Sequence, residues 1–207
     1  MTSYSTMSVA DLLDAFASNE PIPGGGSASA LAGAVGVSLL VMVAGLPKTR
    51  TGAPEEAADL AEASSRLRPL REELTSLIDQ DSEADQAVLA AYRLPKDTDA
   101  GQSSRQTAVE MALRKATEVP LETMRACQQA LRGGTVVGKN GNLNAATDTG
   151  VGVELLLAGL RGAGMNIDVN LAGLADAAYA ARVREEREEL EREGTADAQR
   201  VLEHLGR

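Results

Sequence analysis

A chain of 207 residues can bury a core without disulfides or metal. With four aromatics (Tyr4, Phe16, Tyr92, Tyr179), no Trp and 35 alanines, that core falls to Ala, Leu and Val, which suits closely approaching helices better than a β-sandwich. One histidine (His204) and one cysteine (Cys127) exclude a His/Cys zinc site, a disulfide framework and a histidine-activated nucleophile unless His204 is the base, while a net charge of −10 argues against nucleic acid and favours a soluble, cytoplasmic protein.

The elements expected along the chain are helical. Ser8-Val-Ala-Asp11 reads as a helix cap, and the helix it opens ends by Asn19 to Pro23. A second helix is expected from about Ser27 to Pro47, with the glycine run just ahead of it. Residues 21–47 carry no charge, and Ala28 to Leu46 is long enough to span a bilayer. The glycines and serines dilute its hydrophobicity, no aromatic belt flanks it, and Asp11, Asp14 and Glu20 precede it, so it reads as a buried helix and not as a membrane anchor. Pro54 opens a long periodic stretch to Tyr92, which Pro69 should kink or restart. A further helix over about Gly101 to Arg132 contains Pro120 and gives way to a glycine and asparagine segment, Gly133 to Asn144. Helices resume near Asp148 and again near Asp168. The Arg/Glu run 182–193 is followed by a capped stub, Thr195 to Leu205. Thr135-Val136-Val137 is the one strand candidate. The reading is an all-α, single-domain bundle over 1–207, with 182–207 a charged helical extension.

Three constellations carry chemical promise. Gly24-Gly25-Gly26-Ser27 exposes backbone N–H groups at a helix start, where an anion or polar ring edge is favoured. Gly26, Ser29, Gly33 and Gly36 continue it as a small-residue stripe, open either to a neighbouring helix or to a flat ligand. In the series Leu74, Ile78, Asp81, Asp85, Val88, Tyr92, two carboxylates interrupt an otherwise apolar stripe. If Asp81 is buried, desolvation and a like charge one turn away poise the pair for acid/base work. Three of the four lysines, Lys48, Lys96 and Lys139, adjoin proline or glycine in expected connections, where they suit an anionic ligand. The segment Gly133 to Lys139 mimics a P-loop, but Asn140 stands in place of the Ser/Thr that would hold magnesium, and it is rejected. Asn140, Asn142 and Asn144 suit turns, Asp148 a helix cap, and Cys127 a core position.

Taken in order, Pro23-Gly-Gly-Gly-Ser27, Met42-Val43, Asp79-x-Asp81, Leu94-Pro95-Lys96, Arg105, Val119-Pro120-Leu121, Gly141-Asn142, Thr147-Asp148 and Asn166-x-x-x-Asn170-Leu171 resemble the formimidoyltetrahydrofolate cyclodeaminase / methenyltetrahydrofolate cyclohydrolase family over about residues 8–180. The resemblance implies an all-helical antiparallel bundle and an intimate homodimer. It also implies action on the N5/N10 one-carbon bridge of tetrahydrofolate, with no metal and no cofactor beyond that substrate. Cyclodeaminase is the first reading and cyclohydrolase the second; a non-catalytic folate-binding scaffold is the alternative of another class. In the implied site Asp81 transfers protons, Lys96 tunes it or binds the folate glutamate tail, polyglutamylated or not, and Asp148 orients the pterin. Gly24, Gly25, Gly26 and Ser27 lie against the ligand, and Arg105, Lys139, Asn142 and Asn144 complete the binding set. A separate formimidoyltransferase is a conceivable partner. Asp85 departs from the family, which usually carries an aromatic residue there, and Thr147 stands where serine is common.

Overall fold

The computed structural model describes residues 3–206 and is helical throughout, with α1 Val9–Phe16, α2 Gly25–Ala44, α3 Pro54–Tyr92, α4 Asp99–Asn140, α5 Ala146–Leu171 and α6 Ala177–His204, plus 3₁₀ turns at Tyr4–Thr6 and Leu143–Ala145. Caps fix most starts as the sequence suggests. Ser8 accepts from the Asp11 N–H at 3.2 Å, Thr98 caps α4, and Asp176 caps α6 through the N–H groups of Ala178 and Tyr179. Pro54 takes the first turn of α3, where its missing N–H costs nothing.

Several expected boundaries move. Helix α2 takes in Gly25 and Gly26, so the glycine run is its first turn and not a preceding loop. Helix α4 runs on through Gly133, Thr135-Val136-Val137 and Lys139, so the strand candidate is helical and Lys139 lies in a last helical turn. Asp168 sits inside α5, and the expected stub at Thr195 is the second half of an unbroken α6. Packing overrides glycine's weak helix propensity here, because Gly134 and Gly138 are covered by Leu40 and Val201.

Both prolines sit inside continuous helices, Pro69 in α3 and Pro120 in α4. A proline cannot donate to the carbonyl four residues back. At Pro120 that carbonyl belongs to Ala116, and Asn170 of α5 supplies the missing donor at 2.7 Å. At Pro69 it belongs to Ser65, on an exposed face where water can serve.

Helix α2 lies between α3 and α5, antiparallel to both. Gly26 and Gly33 meet Asp81 and Leu74 of α3, while Gly36 meets Gly152 of α5. A Cβ at Gly36 would stand 2.7 Å from the Gly152 carbonyl, and one at Gly159 would stand 2.8 Å from the Ser29 carbonyl. The small-residue stripe is therefore filled by the side chains of Asp81, Leu74 and Cys127 and by the backbone of α5, and leaves no slot for a flat ligand. Cys127 packs into the same crossing, fully buried, and burial pushes its thiol up to about 12. Helix α2 is apolar and long enough to cross a membrane, but it is largely buried by its neighbours.

Candidate functional site

Asp81 sits at the N-terminus of α2, only 6% exposed. The Ser27 hydroxyl lies 2.9 Å from Asp81 Oδ2, 2.9 Å from the Ile78 carbonyl and 2.9 Å from Ser82 Oγ. A hydroxyl has one proton to give. It donates to Asp81 when that group is ionised and can turn to Ile78 when it is not. The Ser27 backbone N–H also favours the ionised carboxylate. The anion that the glycine turn attracts is thus Asp81 itself, held by a helix start whose dipole favours negative charge.

Gly26 is what permits this. A Cβ there would stand 2.0 Å from Asp81 Oδ1, closer than any side chain tolerates. Beside it, Asp85 Oδ2 is 3.8 Å and Asn166 Nδ2 is 3.6 Å from the Cβ positions of Gly24 and Gly25. Burial raises the Asp81 pKa against the lowering effect of the Ser27 bonds. Burial, and then the charge of Asp81, push Asp85 up to about 6. Two carboxylates one turn apart at a buried helix start can exchange protons near neutral pH.

The N-terminal segment closes one side. Asp79 accepts from the Tyr4 and Ser5 N–H groups and from the Ser3 and Ser5 hydroxyls. Burial pushes Asp79 up, but these bonds outweigh it and leave the carboxyl below its usual range.

Lys96 and Arg105 stand apart from Asp81. They line a groove of about 340 Å³ with Tyr92, Gln102, Gln106 and Val109. Arg105 lies over the Tyr92 ring, 5.4 Å from its centroid, and donates to the Tyr92 carbonyl. Tyr92 is on the Asp81–Asp85 face of α3, and eleven residues at ~1.5 Å each place it roughly 16 Å from Asp81. Lys96 is exposed and beyond tight electrostatic reach. Within the chain, the bonds that lower the Asp81 pKa come from Ser27, and Lys96 lies with Arg105 in the groove.

The remaining expected residues gather at the opposite end. Gly141 adjoins Val43 near the C-terminus of α2, with Lys139 and the Leu143–Ala145 turn around it. Asn142 accepts from the Asn144 N–H at 2.9 Å, so these asparagines hold a turn. Asp148 lies in the first turn of α5 and makes no capping bond. Since Asn166 marks the Gly25 end of α5, the eighteen residues back to Asp148 place it about 27 Å away along the helix. One chain does not bring Asp148, Lys139, Asn142 and Asn144 to Asp81.

Asn166 was not among the expected site residues. Its signal was its place in the Asn166/Asn170 spacing, which puts both amides on one face at the end of α5 nearest Asp81.

A family model described as formiminotransferase-cyclodeaminase matches residues 8–189. The chain is 41% identical over 191 residues to a methenyltetrahydrofolate cyclohydrolase of Methylorubrum extorquens, covering 92% of each chain. It is 33% identical to the formimidoyltransferase-cyclodeaminase of Sus scrofa over 91% of this chain, spanning 35% of that longer protein. The crystal structure of formiminotetrahydrofolate cyclodeaminase from Thermotoga maritima superposes with a TM-score of 0.86 and 25% identity, covering 97% of this chain and 96% of that one. With the motifs, the fold and near-complete overlap in agreement, the chain belongs to the formiminotransferase-cyclodeaminase family.

Proposed function

We propose that this protein is a folate one-carbon enzyme acting between N5 and N10 of tetrahydrofolate, with Asp81 as its proton-transferring carboxylate. The observation that carries the reading is the buried Asp81 bound by Ser27 over the bare Cα of Gly26, in a chain alike over nearly its full length to enzymes named for this chemistry.

Two reactions fit the carboxylate. In ring opening, water adds to the methenyl carbon and loses a proton to a base. The tetrahedral carbon then releases N5, which takes up a proton, leaving the formyl group on N10. In cyclodeamination, N10 attacks the carbon of the protonated formimidoyl group and loses its proton, and the departing –NH2 gains one and leaves as ammonia. Each needs a proton taken at one atom and given at another. The 41% identity along a whole cyclohydrolase weights ring opening, and the structural likeness to a cyclodeaminase favours the second reading, for which a separate formimidoyltransferase would supply the substrate.

The site is proposed to be completed by a second copy. Ala28, Val35 and Met42 on α2, and Val151, Ala158 and Met165 on the adjacent α5, recur at seven-residue spacing and are exposed, with Val35 at 43% and Met165 at 65%. Such a face suits a helix-packed dimer. A two-fold axis crossing these helices would set Asp148, Lys139 and Asn142 of one protomer over Asp81 of its partner. Lys96 and Arg105 then suit the anionic glutamate tail.

The test incubates the purified protein with 5,10-methenyltetrahydrofolate and, separately, with 5-formimidoyltetrahydrofolate, following methenyl absorbance and ammonia. Loss of methenyl absorbance faster than the buffer rate assigns ring opening. Its growth with stoichiometric ammonia assigns cyclodeamination. Folate binding without turnover of either compound would leave a scaffold and overturn the proposal.

A further inference from the structure

We infer that Asp85 is the proton-holding partner of Asp81, so that the two carboxylates share one proton, Asp81 serving as base and Asp85 as acid. The inference rests on the folate reading above and adds to it the second proton-handling group.

Asp81 and Asp85 are four residues apart on α3, which puts their Cβ atoms about 6 Å apart on one face. Both carboxyl groups point to the start of α2, Asp81 against Gly26 and Asp85 against Gly24. Two like charges at this separation in a half-dry site do not both ionise readily. Which one keeps the proton follows from their partners. The Ser27 hydroxyl bonds Asp81, and the Ser27 side chain and backbone N–H both favour its charged form. Among the described residues Asp85 receives no such bond; burial and the charge of Asp81 act on it, and both favour its neutral form.

Among the described residues no cation acts on either carboxyl to undo this. The start of α2 contributes glycines and Ser27, α5 contributes the neutral Asn166, and the N-terminal segment contributes Tyr4, whose hydroxyl faces the Ile22 carbonyl. On α4, Arg105 is engaged at Tyr92, seven residues further along α3.

The chemistry uses the pair in one turnover. In ring opening Asp81 takes the proton of the attacking water as the C–O bond forms. Asp85 gives its proton to N5 as the C–N5 bond breaks. The proton on Asp81 then passes to Asp85, and the hydroxyl proton of the collapsing tetrahedral carbon leaves to solvent. Methenyl cation and water thus become formyl product and one released proton, with no other reactant. A lone Asp81 would have to carry the same proton from the water to N5, whereas the pair serves the two atoms from two positions. Asp85 is half-buried and can exchange with water, whereas Asp81 is sealed.

The test compares the wild type with Asp85→Asn and Asp85→Glu. Each is assayed for kcat and KM from about pH 5 to 9, beside carboxyl ¹³C titrations of Asp-labelled protein. For Asp85→Asn the inference expects kcat to fall about tenfold or more, KM to change less than about threefold, and the alkaline limb of the profile to disappear. Asp85→Glu should recover rate with that limb displaced. In the NMR titration, removing the Asp81 charge by Asp81→Asn should lower the midpoint of Asp85. Wild-type kcat and profile shape in Asp85→Asn, or an unmoved Asp85 midpoint in folded Asp81→Asn, would overturn the pairing. The titration needs no substrate. Coupled midpoints in a wild type that turns over neither folate would sink the folate reading and leave the pair standing.

Discussion

At the scale of the residue, the proposed function turns on how closely one carboxylate approaches one helix start. Gly26→Ala puts a methyl group where Asp81 Oδ1 lies. It should cost about 1–3 kcal/mol of stability by overpacking and most of the activity, measurable by urea unfolding and by turnover. Asp81→Asn should reduce kcat at least about a hundredfold while folate binding persists. Asp85 makes stability depend on pH. Its pKa rises on folding from 3.8 to about 6, so its contribution is complete below about pH 3.8 and is lost as pH rises through about 6. Asp85→Asn, which cannot lose a proton, should therefore gain about 1 kcal/mol on the wild type between pH 4 and pH 7, after discounting for solvent screening; urea titrations at the two pH values check it. The carboxylates were legible because they broke an apolar periodicity. That the anion at the glycine turn is Asp81 was not legible, since nothing local joins residues 26 and 81.

At the scale of the element, the helices depend on repairs supplied by other helices. The Ala116 carbonyl freed by Pro120 is bonded by Asn170 across the α4–α5 contact. Asn170→Leu leaves that carbonyl without a donor and should cost about 1–3 kcal/mol, read as a lowered urea midpoint with an unchanged m-value. Arg50 ties two helix ends, donating to the carbonyls of Gly138 and Lys139 at the end of α4 and of His204 at the end of α6. The sequence showed helix types and most starts, because caps and prolines are local signals. It placed the end of α4 early, at Arg132, because Gly133 and Gly134 read locally as a stop. Cover from Leu67, Leu40 and Val201 keeps that stretch helical.

For the whole molecule, the apolar stripes of α2 and α5 decide assembly. Val35→Glu combined with Met165→Glu places four carboxylates in the proposed two-fold face. Light scattering should then give the 21.5 kDa of a single chain where the wild type gives twice that mass. A mixture of Asp81→Asn and Asp148→Asn proteins should regain about a quarter to a half of wild-type activity if the two residues act across subunits. A mixture no more active than its components would place them in separate roles.

Composition, helix periodicity and caps settled the all-helical class and singled out Asp81 and Asp85, because these are local signals. The family was legible from the likeness of its motifs in their order. Only the tertiary structure decided which residues meet. It filled the glycine stripe with side chains of α3 and α4 and the backbone of α5, bound Asp81 to Ser27, and set Asp148 and Lys139 at the far end of the bundle from Asp81. Spacing along a helix reports a face, but the partner of that face is chosen by antiparallel packing between segments more than fifty residues apart. The scarcity of aromatics that opened the sequence reading has its counterpart there, in helices that approach until glycine faces glycine.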